Sequence, residues 1–251
     1  MDNTQRFNHR VESYAAYRPD YPAEMVGFLQ GKYNLGPGKP IADVGAGTGI
    51  STALFLKAGY AVFAVEPNTP MLEKATEMLG KYPGFHAVNG SAENTTLGSE
   101  SVDAVIAAQA FHWFNPQQSK NEFLRILRPG GIVALIWNER RVHSDFEKDY
   151  EALINRHGKD YIKVRHRNID MEHIAAFFSP HAVELNTFTN AQVFGLEGLK
   201  GRLSSSSYMP LSTEAGYAEM MEDLEKLFAR FSENGRITIS YETKVYSGIF
   251  K

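Results

Sequence analysis

The apolar pattern of this chain predicts an α/β fold, a doubly wound and mostly parallel sheet with helices on both faces. Three observations carry the prediction. Short apolar runs of strand length alternate with stretches of helical period from Ile41 to Asn138, and strands buried on both faces read as continuous apolar runs. The first of these strands enters a glycine-rich turn and then a helix, "IADVGAGTGIST" at 41–52. Finally, 251 residues with 43% hydrophobic and 22% charged side chains have the ordinary globular balance, enough for one large domain with elaborations.

The elements follow in order. "IADVG" (41–45) leads into "TGISTALFLKAG", and "YAVFAVEP" (60–67) leads into "TPMLEKATEMLGKYP". "FHAVNG" (85–90) and "SVDAVIAAQ" (101–109) read as two more strands, and "NPQQSKNEFLRILRPGG" reads as a helix and turn before "IVALIWN" (132–138). Past Asn138 the pattern changes. "DFEKDYEALINRHG" has helical period, the stretch to about residue 181 is irregular, and "AVELNTFTNAQVFG" (182–195) has the composition of one strand. From Thr213 to Glu233 the period is most regular: Tyr217, Met221, Leu224, Phe228 and Phe231 recur at intervals of four and three, with Glu222 four residues before Lys226. The end, "RITISYETKVYSGIFK", is β-rich. We therefore expect a single domain over 1–251, with a ligand-binding core at 41–138, a helical lid at 139–235 and a C-terminal strand region at 236–251.

Composition excludes several classes. With no cysteine there are no disulfides, thiol nucleophiles or cysteine-ligated metals. No metal-ligand spacing joins His157, His166 and His173, so no metal is expected. The formal charge of −3 is too weak a field to indicate nucleic acid or a membrane. The basic stretch "RHGKDYIKVRHR" (156–167) brings Arg156, Lys159, Lys163, Arg165 and Arg167, but Asp149, Glu151, Asp160, Asp170 and Glu172 surround and dilute it. The start "MDNTQRFNHR" lacks the apolar run of a signal peptide, and no run approaches membrane-helix length. A cytoplasmic protein is expected.

The glycine turn is the chemical feature. Glycines at 45, 47 and 49 permit tight turning and close approach to a ligand, and the following helix directs its free N–H groups there. The spacing fits neither G-x-G-x-x-G, since Ile50 or Thr52 stands at the third position, nor the phosphate-cradling loop that ends in Gly-Lys. About twenty residues on, "FAVEPN" ends its strand on Glu66, where a carboxylate can accept from two ribose hydroxyls. Turn and acid together favour a nucleoside-type ligand.

These residues resemble the class I S-adenosylmethionine-dependent methyltransferases. "IADVGAGTGIST" is similar to their first motif, "AVEPN" to their acidic loop, and "NGSAENTTLGSESVDAVIAAQAFHWF" to the segment of adenine contacts and the fourth strand. "FLRILRPGGIVALIW" resembles the following helix, turn and fifth strand. Outside the core, "YRPDYP" (17–22), "AFHWF" (110–114) and "LSSSSYMP" (203–210) are similar to a small-molecule subgroup that includes trans-aconitate methyltransferases. The resemblance implies a seven-stranded Rossmann-like sheet and S-adenosyl-L-methionine as cofactor. It implies Gly45, Ala46 and Gly47 beneath the methionine part, Asp43 organising the turn, and Glu66 on the ribose. Pro67 or Asn68 would flank the adenine, Ala92 and Glu93 after Ser91 would meet its edge, and Gln109 and Ala110 would lie beside the sulfonium. Tyr17 and Arg18 are candidates for its carboxylate.

On the acceptor side, His112 is a candidate base or donor beyond the fourth strand, and Trp113 and Phe114 form an apolar wall. For a carboxylate acceptor the eligible cations are Arg140, Arg141, His143 and Arg202, with Tyr208 beside them. The expected activity is methyl transfer to a small molecule, a carboxylate oxygen first; an RNA or protein methyltransferase and a non-catalytic cofactor-binding protein are the alternatives.

Overall fold

The computed structural model describes residues 11–159, 161 and 171–251. Among these residues seven strands form one sheet in the order β3-β2-β1-β4-β5-β7-β6. The strands are β1 (Pro40–Val44), β2 (Ala61–Val65), β3 (Phe85–Val88), β4 (Val102–Ala108), β5 (Leu127–Arg140), β6 (Glu184–Phe194) and β7 (Ile237–Ile249). The first five pair in parallel, and β7 runs antiparallel to both β5 and β6. This is the doubly wound, mostly parallel seven-stranded sheet, and its order reverses between β1 and β4. At such a switch point the crossovers leave on opposite faces and open a crevice at the strands' carboxyl ends.

Two apolar layers sandwich the parallel part. On one face Val44, Val105, Val133 and Leu135 pack with Phe123 and Ile126 of α5 (Pro116–Ile126) and with Ile174, Phe177 and Phe178 of α7 (Met171–Phe178). On the other, Ile41, Val62, Ile106 and Ile136 pack with Met25, Val26 and Leu29 of α2 (Glu24–Tyr33) and with Phe55 and Leu56 of α3 (Ile50–Lys57). Burial on both faces is why these strands read as unbroken apolar runs.

A third cluster lies in the lid. Tyr150, Leu153 and Ile154 of α6 (Asp145–His157) meet Leu199 and Leu203 of α8 (Leu196–Ser204), and Met220, Leu224 and Leu227 of α9 (Tyr217–Phe231). Ile237, Ile239 and Tyr241 of β7 complete it, so the lid has its own core, stitched to the sheet by the antiparallel strand.

Local chemistry sets the boundaries. Asn68 and Asn115 cap α4 (Thr69–Leu79) and α5, their side chains accepting from Met71 N and Gln118 N, each with proline in the first turn. Ser144 and Glu147 form a capping box on α6.

Three expectations need correction. The regular helix at 213–233 begins only at Tyr217, after Gly216 with φ +88°. Its buried residues are Met220, Leu224 and Leu227, while Tyr217, Met221, Phe228 and Phe231 are partly buried flanks; the helix lies in a groove wider than one seam. "RPGG" is absorbed into β5, where the register shifts between Val102 and Ala104 as a bulge around Gly130 with φ +79°. Finally, residues 184–194 of the expected lid join the main sheet as its edge strand. The readings on Asp160, Lys163, Arg165, His166, Arg167 and Asp170 lie outside the described residues.

Candidate active site

The carboxyl ends of β1, β2 and β4 converge on a pocket of about 910 Å³, mouth included, within the size range of small-molecule sites. Its lining runs from the glycine turn (Gly45, Gly47) through Glu66 and Met71 to Ala92, Gln109 and Trp113.

The floor is peptide backbone. Gly45 and Gly47 have φ of +73° and +56°, a region side chains enter only with strain. A Cβ on Gly45 would sit 2.5 Å from the Ala110 methyl, so the turn and the end of β4 touch only because that atom is missing. The same hypothetical atom on Gly47 would meet nothing nearer than Met71 Sδ at 3.8 Å, which leaves this glycine open to the pocket. Gly45 N and Ala46 N both donate to Val65 O, at 2.9 and 3.1 Å. Ala46 itself is buried and outside the lining.

Two carboxylates hold the turn. Asp43 is fully buried below it and accepts from Ser51 Oγ at 2.7 Å and Thr52 Oγ1 at 2.6 Å, tying β1 to the first turn of α3. Burial raises its pKa against those hydrogen bonds. Glu66, at the end of β2, accepts from Gly47 N at 2.8 Å on one oxygen and from Asn68 N at 2.9 Å on the other. Burial raises its pKa as well, opposed by these two backbone donors. Each Glu66 oxygen keeps a further lone pair, and the residue lines the pocket.

The far wall comes from the loop after β3 and from the end of β4. Ser91 Oγ accepts from the amides of Glu93 and Asn94, both at 3.2 Å. Glu93 accepts from Asn115 N at 2.8 Å, which joins this loop to the start of α5. Behind it Glu122 accepts from Thr95 N and from Arg125, and burial, which acts upward on its pKa, is outweighed by these donors so that the carboxyl stays low. Gln109 takes a left-handed φ of 55° and donates from Nε2 to Asn138 O at 3.0 Å; this backbone reversal turns β4 into the aromatic segment.

Of the sequence candidates, Gly45, Gly47, Glu66, Pro67, Ala92, Glu93, Gln109 and Trp113 share the pocket lining. Asp43 lies beneath it. His112 is not in the lining; its ring tilts against Trp113 at a centroid distance of 4.6 Å. Arg141 lines a separate shallow depression with Pro22, Glu24 and Asn190. Arg18 and Tyr208 belong to a second group of side chains behind the pocket. There Arg18 donates to Ser205 O at 3.0 Å and lies over the Tyr14 ring at 4.7 Å. Tyr14 itself lines the pocket, so α1 (Val11–Tyr17) bridges the two groups. Tyr17, one of the expected carboxylate contacts, instead packs on Gly201, where a Cβ would collide with its ring at 2.4 Å.

Sequence reasoning missed Tyr14 and Met71. Tyr14 stands one helical turn before Arg18, a spacing that marks a shared face. Met71 was signalled by "EPNTP": an asparagine cap followed by proline puts the next apolar residue in the first turn, beside the strand end.

Comparison with known proteins bears on this geometry. Residues 42–135 match the family described as a methyltransferase domain. An uncharacterised methyltransferase of Mycobacterium tuberculosis is 36% identical over 157 residues, 62% of this chain; the match spans 62% of that relative's length. An uncharacterised methyltransferase of Schizosaccharomyces pombe is 26% identical over 249 residues, covering 96% of this chain and 95% of that one. Among solved structures, an N-methyltransferase of Haemonchus contortus in complex with phosphomonomethylethanolamine and S-adenosylhomocysteine superposes with a TM-score of 0.59 at 15% identity. It covers 99% of this chain and 58% of that one.

Proposed function

We infer that this chain is a class I methyltransferase, takes S-adenosyl-L-methionine as methyl donor and transfers the methyl in line to a small-molecule acceptor. The observation that supports this reading is the pocket at the β1–β4 switch, with a backbone floor at Gly45 and Gly47 and a buried carboxylate at its rim. The residues fit an adenosyl thioether. An open approach at Gly47 admits the methionine part, and Glu66 keeps acceptor capacity for the ribose hydroxyls after binding two amides. Pro67, Met71 and Phe114 offer apolar surface to the adenine, and Ala92 with Glu93 offers its edge. Arg18, a turn away from Tyr14, is the candidate for the carboxylate.

The donor supplies a methyl already activated by its sulfonium. What the chain contributes is position, which in a two-reactant displacement is a large share of the barrier. A carboxylate oxygen of the acceptor would form the new C–O bond as the C–S bond breaks; the sulfur keeps the electron pair, and no proton moves. A hydroxyl or amine acceptor would lose a proton, for which His112, beside Trp113 of the lining, is the candidate base. Trp113 and Phe114 would exclude water from the reacting line. On this reading 41–138 holds the cofactor, 139–235 contributes acceptor contacts, and 236–251 ties the two together. A cytoplasmic setting with neither nucleic acid nor membrane as partner belongs to the same reading; no described helix is long and apolar enough to cross a membrane.

Calorimetric titration with S-adenosylhomocysteine tests the first half, and saturable heat is expected. Incubation with methyl-deuterated donor and a fractionated cell extract tests the second: the label should enter the small-molecule filtrate. Label confined to RNA or protein would overturn the acceptor class, and absence of any binding would overturn the cofactor.

A further inference from the structure

Behind the pocket three arginines from distant parts of the chain surround Tyr208. Arg18 follows α1, Arg140 ends β5, and Arg202 is on α8. Arg140 is paired, donating to Glu151 at 2.5 Å and to Tyr161 at 3.0 Å. The other two have no carboxylate among the described residues. Arg202 is 5% exposed, and its partners are neutral: Tyr241 Oη at 3.1 Å and Ser206 Oγ at 3.3 Å. Two of its five N–H donors are thereby used. Arg18 reaches a backbone carbonyl, and its buried Nε has no partner.

Phenols complete the group. Tyr150 lies under Arg140 at 5.4 Å, and its buried hydroxyl has no partner. Tyr208 stacks obliquely on Tyr161 at 4.7 Å and faces all three arginines, which carry its pKa down although burial acts upward. Burial and the neighbouring Arg202 lower that of Arg18. A buried guanidinium at Arg202 and a partly buried one at Arg18, with no carboxylate beside them among the described residues, cost free energy that an incoming anion would offset. The phenols supply neutral donors around the same point.

Position separates this group from the reacting centre. Gln109, Ala110 and Trp113 line the glycine-turn pocket, whereas Arg18, Arg140 and Arg202 do not; Tyr14 is the shared wall. On the proposed function, the donor's own carboxylate satisfies one uncompensated guanidinium, Arg18. The other remains. We propose that Arg202, with Tyr150 and Tyr208 around it, is the subsite for a non-reacting anionic group of the acceptor, which is therefore a small organic acid methylated at a second functional group.

The inference rests on the methyltransferase reading, and its tests are chosen to fail separately from it. The melting temperature of the wild-type protein is measured at fixed ionic strength with succinate, inorganic phosphate or chloride. Succinate or phosphate should raise it by several degrees relative to chloride, with saturation; no shift from either overturns the subsite, whatever S-adenosylhomocysteine does. Arg202→Met should weaken that anion at least tenfold while leaving S-adenosylhomocysteine affinity unchanged, and an unchanged anion affinity overturns the assignment. Should this variant not fold, Tyr150→Phe, which keeps the ring and removes the hydroxyl, is expected to weaken the anion several-fold, and wild-type affinity there overturns it equally. Deuterium-labelled products from extract should remain bound to an anion exchanger. Labelled product in the neutral flow-through would mean that the anion itself is methylated, and the handle is lost.

Discussion

The glycine-turn pocket and the arginine group behind it are two polar sites built on opposite plans. The first uses main chain: glycines, amides and two carboxylates that lie within a short span from Asp43 to Asn68. The second uses long side chains gathered from positions 18, 140, 150, 202, 208 and 241, with hardly any backbone in contact. A backbone site is specified by which side chains are absent, so it leaves a compact motif in the sequence. A side-chain site is specified by tertiary packing, and each of its members looks ordinary alone.

The contrast can be broken most strongly at Gly47. Gly47→Val adds a β-branched side chain at φ +56° where the turn opens to the pocket. Backbone strain of about 1–3 kcal/mol together with the blocked approach should weaken S-adenosylhomocysteine by roughly a hundredfold or more, read by calorimetry on protein whose circular dichroism is unchanged. Normal affinity in the folded variant would remove the turn from the site.

Glu66→Ala comes next. Losing a charged acceptor for ribose hydroxyls costs about 1.5–3 kcal/mol, or roughly ten- to a hundredfold in affinity, and it also releases the amides of Gly47 and Asn68. The same carboxyl sets a pH dependence. Its pKa is raised in the folded protein, and hydroxyl donors need the ionised form, so cofactor affinity should fall as pH drops through that raised value. The loss should begin above the pH at which an ordinary glutamate titrates, and it should disappear in Glu66→Gln. A wild-type affinity that stays flat down to the ordinary glutamate range would contradict the assignment.

His112→Ala probes the border between the two sites. Because the ring tilts against Trp113 outside the pocket lining, the expected result is a several-fold rise in acceptor KM with kcat nearly kept. A large pH-dependent loss of kcat would instead make it the base.

The smallest effect is expected from Glu122→Gln, which leaves both sites intact but weakens the brace between α5 and the loop after β3. A cost of about 1–2 kcal/mol is expected, measured by denaturant unfolding. Donors hold this carboxyl below its usual range in the folded state. Its contribution is therefore present above the unfolded pKa and is lost as pH falls through the lower folded one. The difference between wild type and variant should shrink in acid.

Legibility followed the same division. Strands β1 to β5 and the helices between them were readable because burial on both faces leaves apolar runs, and the pocket residues because Gly45, Gly47 and Glu66 sit at strand ends. The lid was harder. Arg141 looked as eligible as Arg140, but β5 ends at Arg140, and only the fold shows that Arg140 turns into the lid to meet Glu151 and Tyr161 while Arg141 lines a separate depression. Arg202 stood as one eligible cation among four; its burial depends on α9 and β7, which no local pattern announces. Tyr14 was overlooked for Tyr17 because only the contact with Gly201 decides which tyrosine turns inward.

The bridge that Glu66 makes between Gly47 and Asn68 has a consequence for kinetics. Both amides are already engaged by protein atoms, so the rim holds its shape without a guest and an arriving nucleoside freezes little new motion. Association there should be a single fast phase whose rate is set by diffusion and orientation, with no slow rearrangement following the encounter.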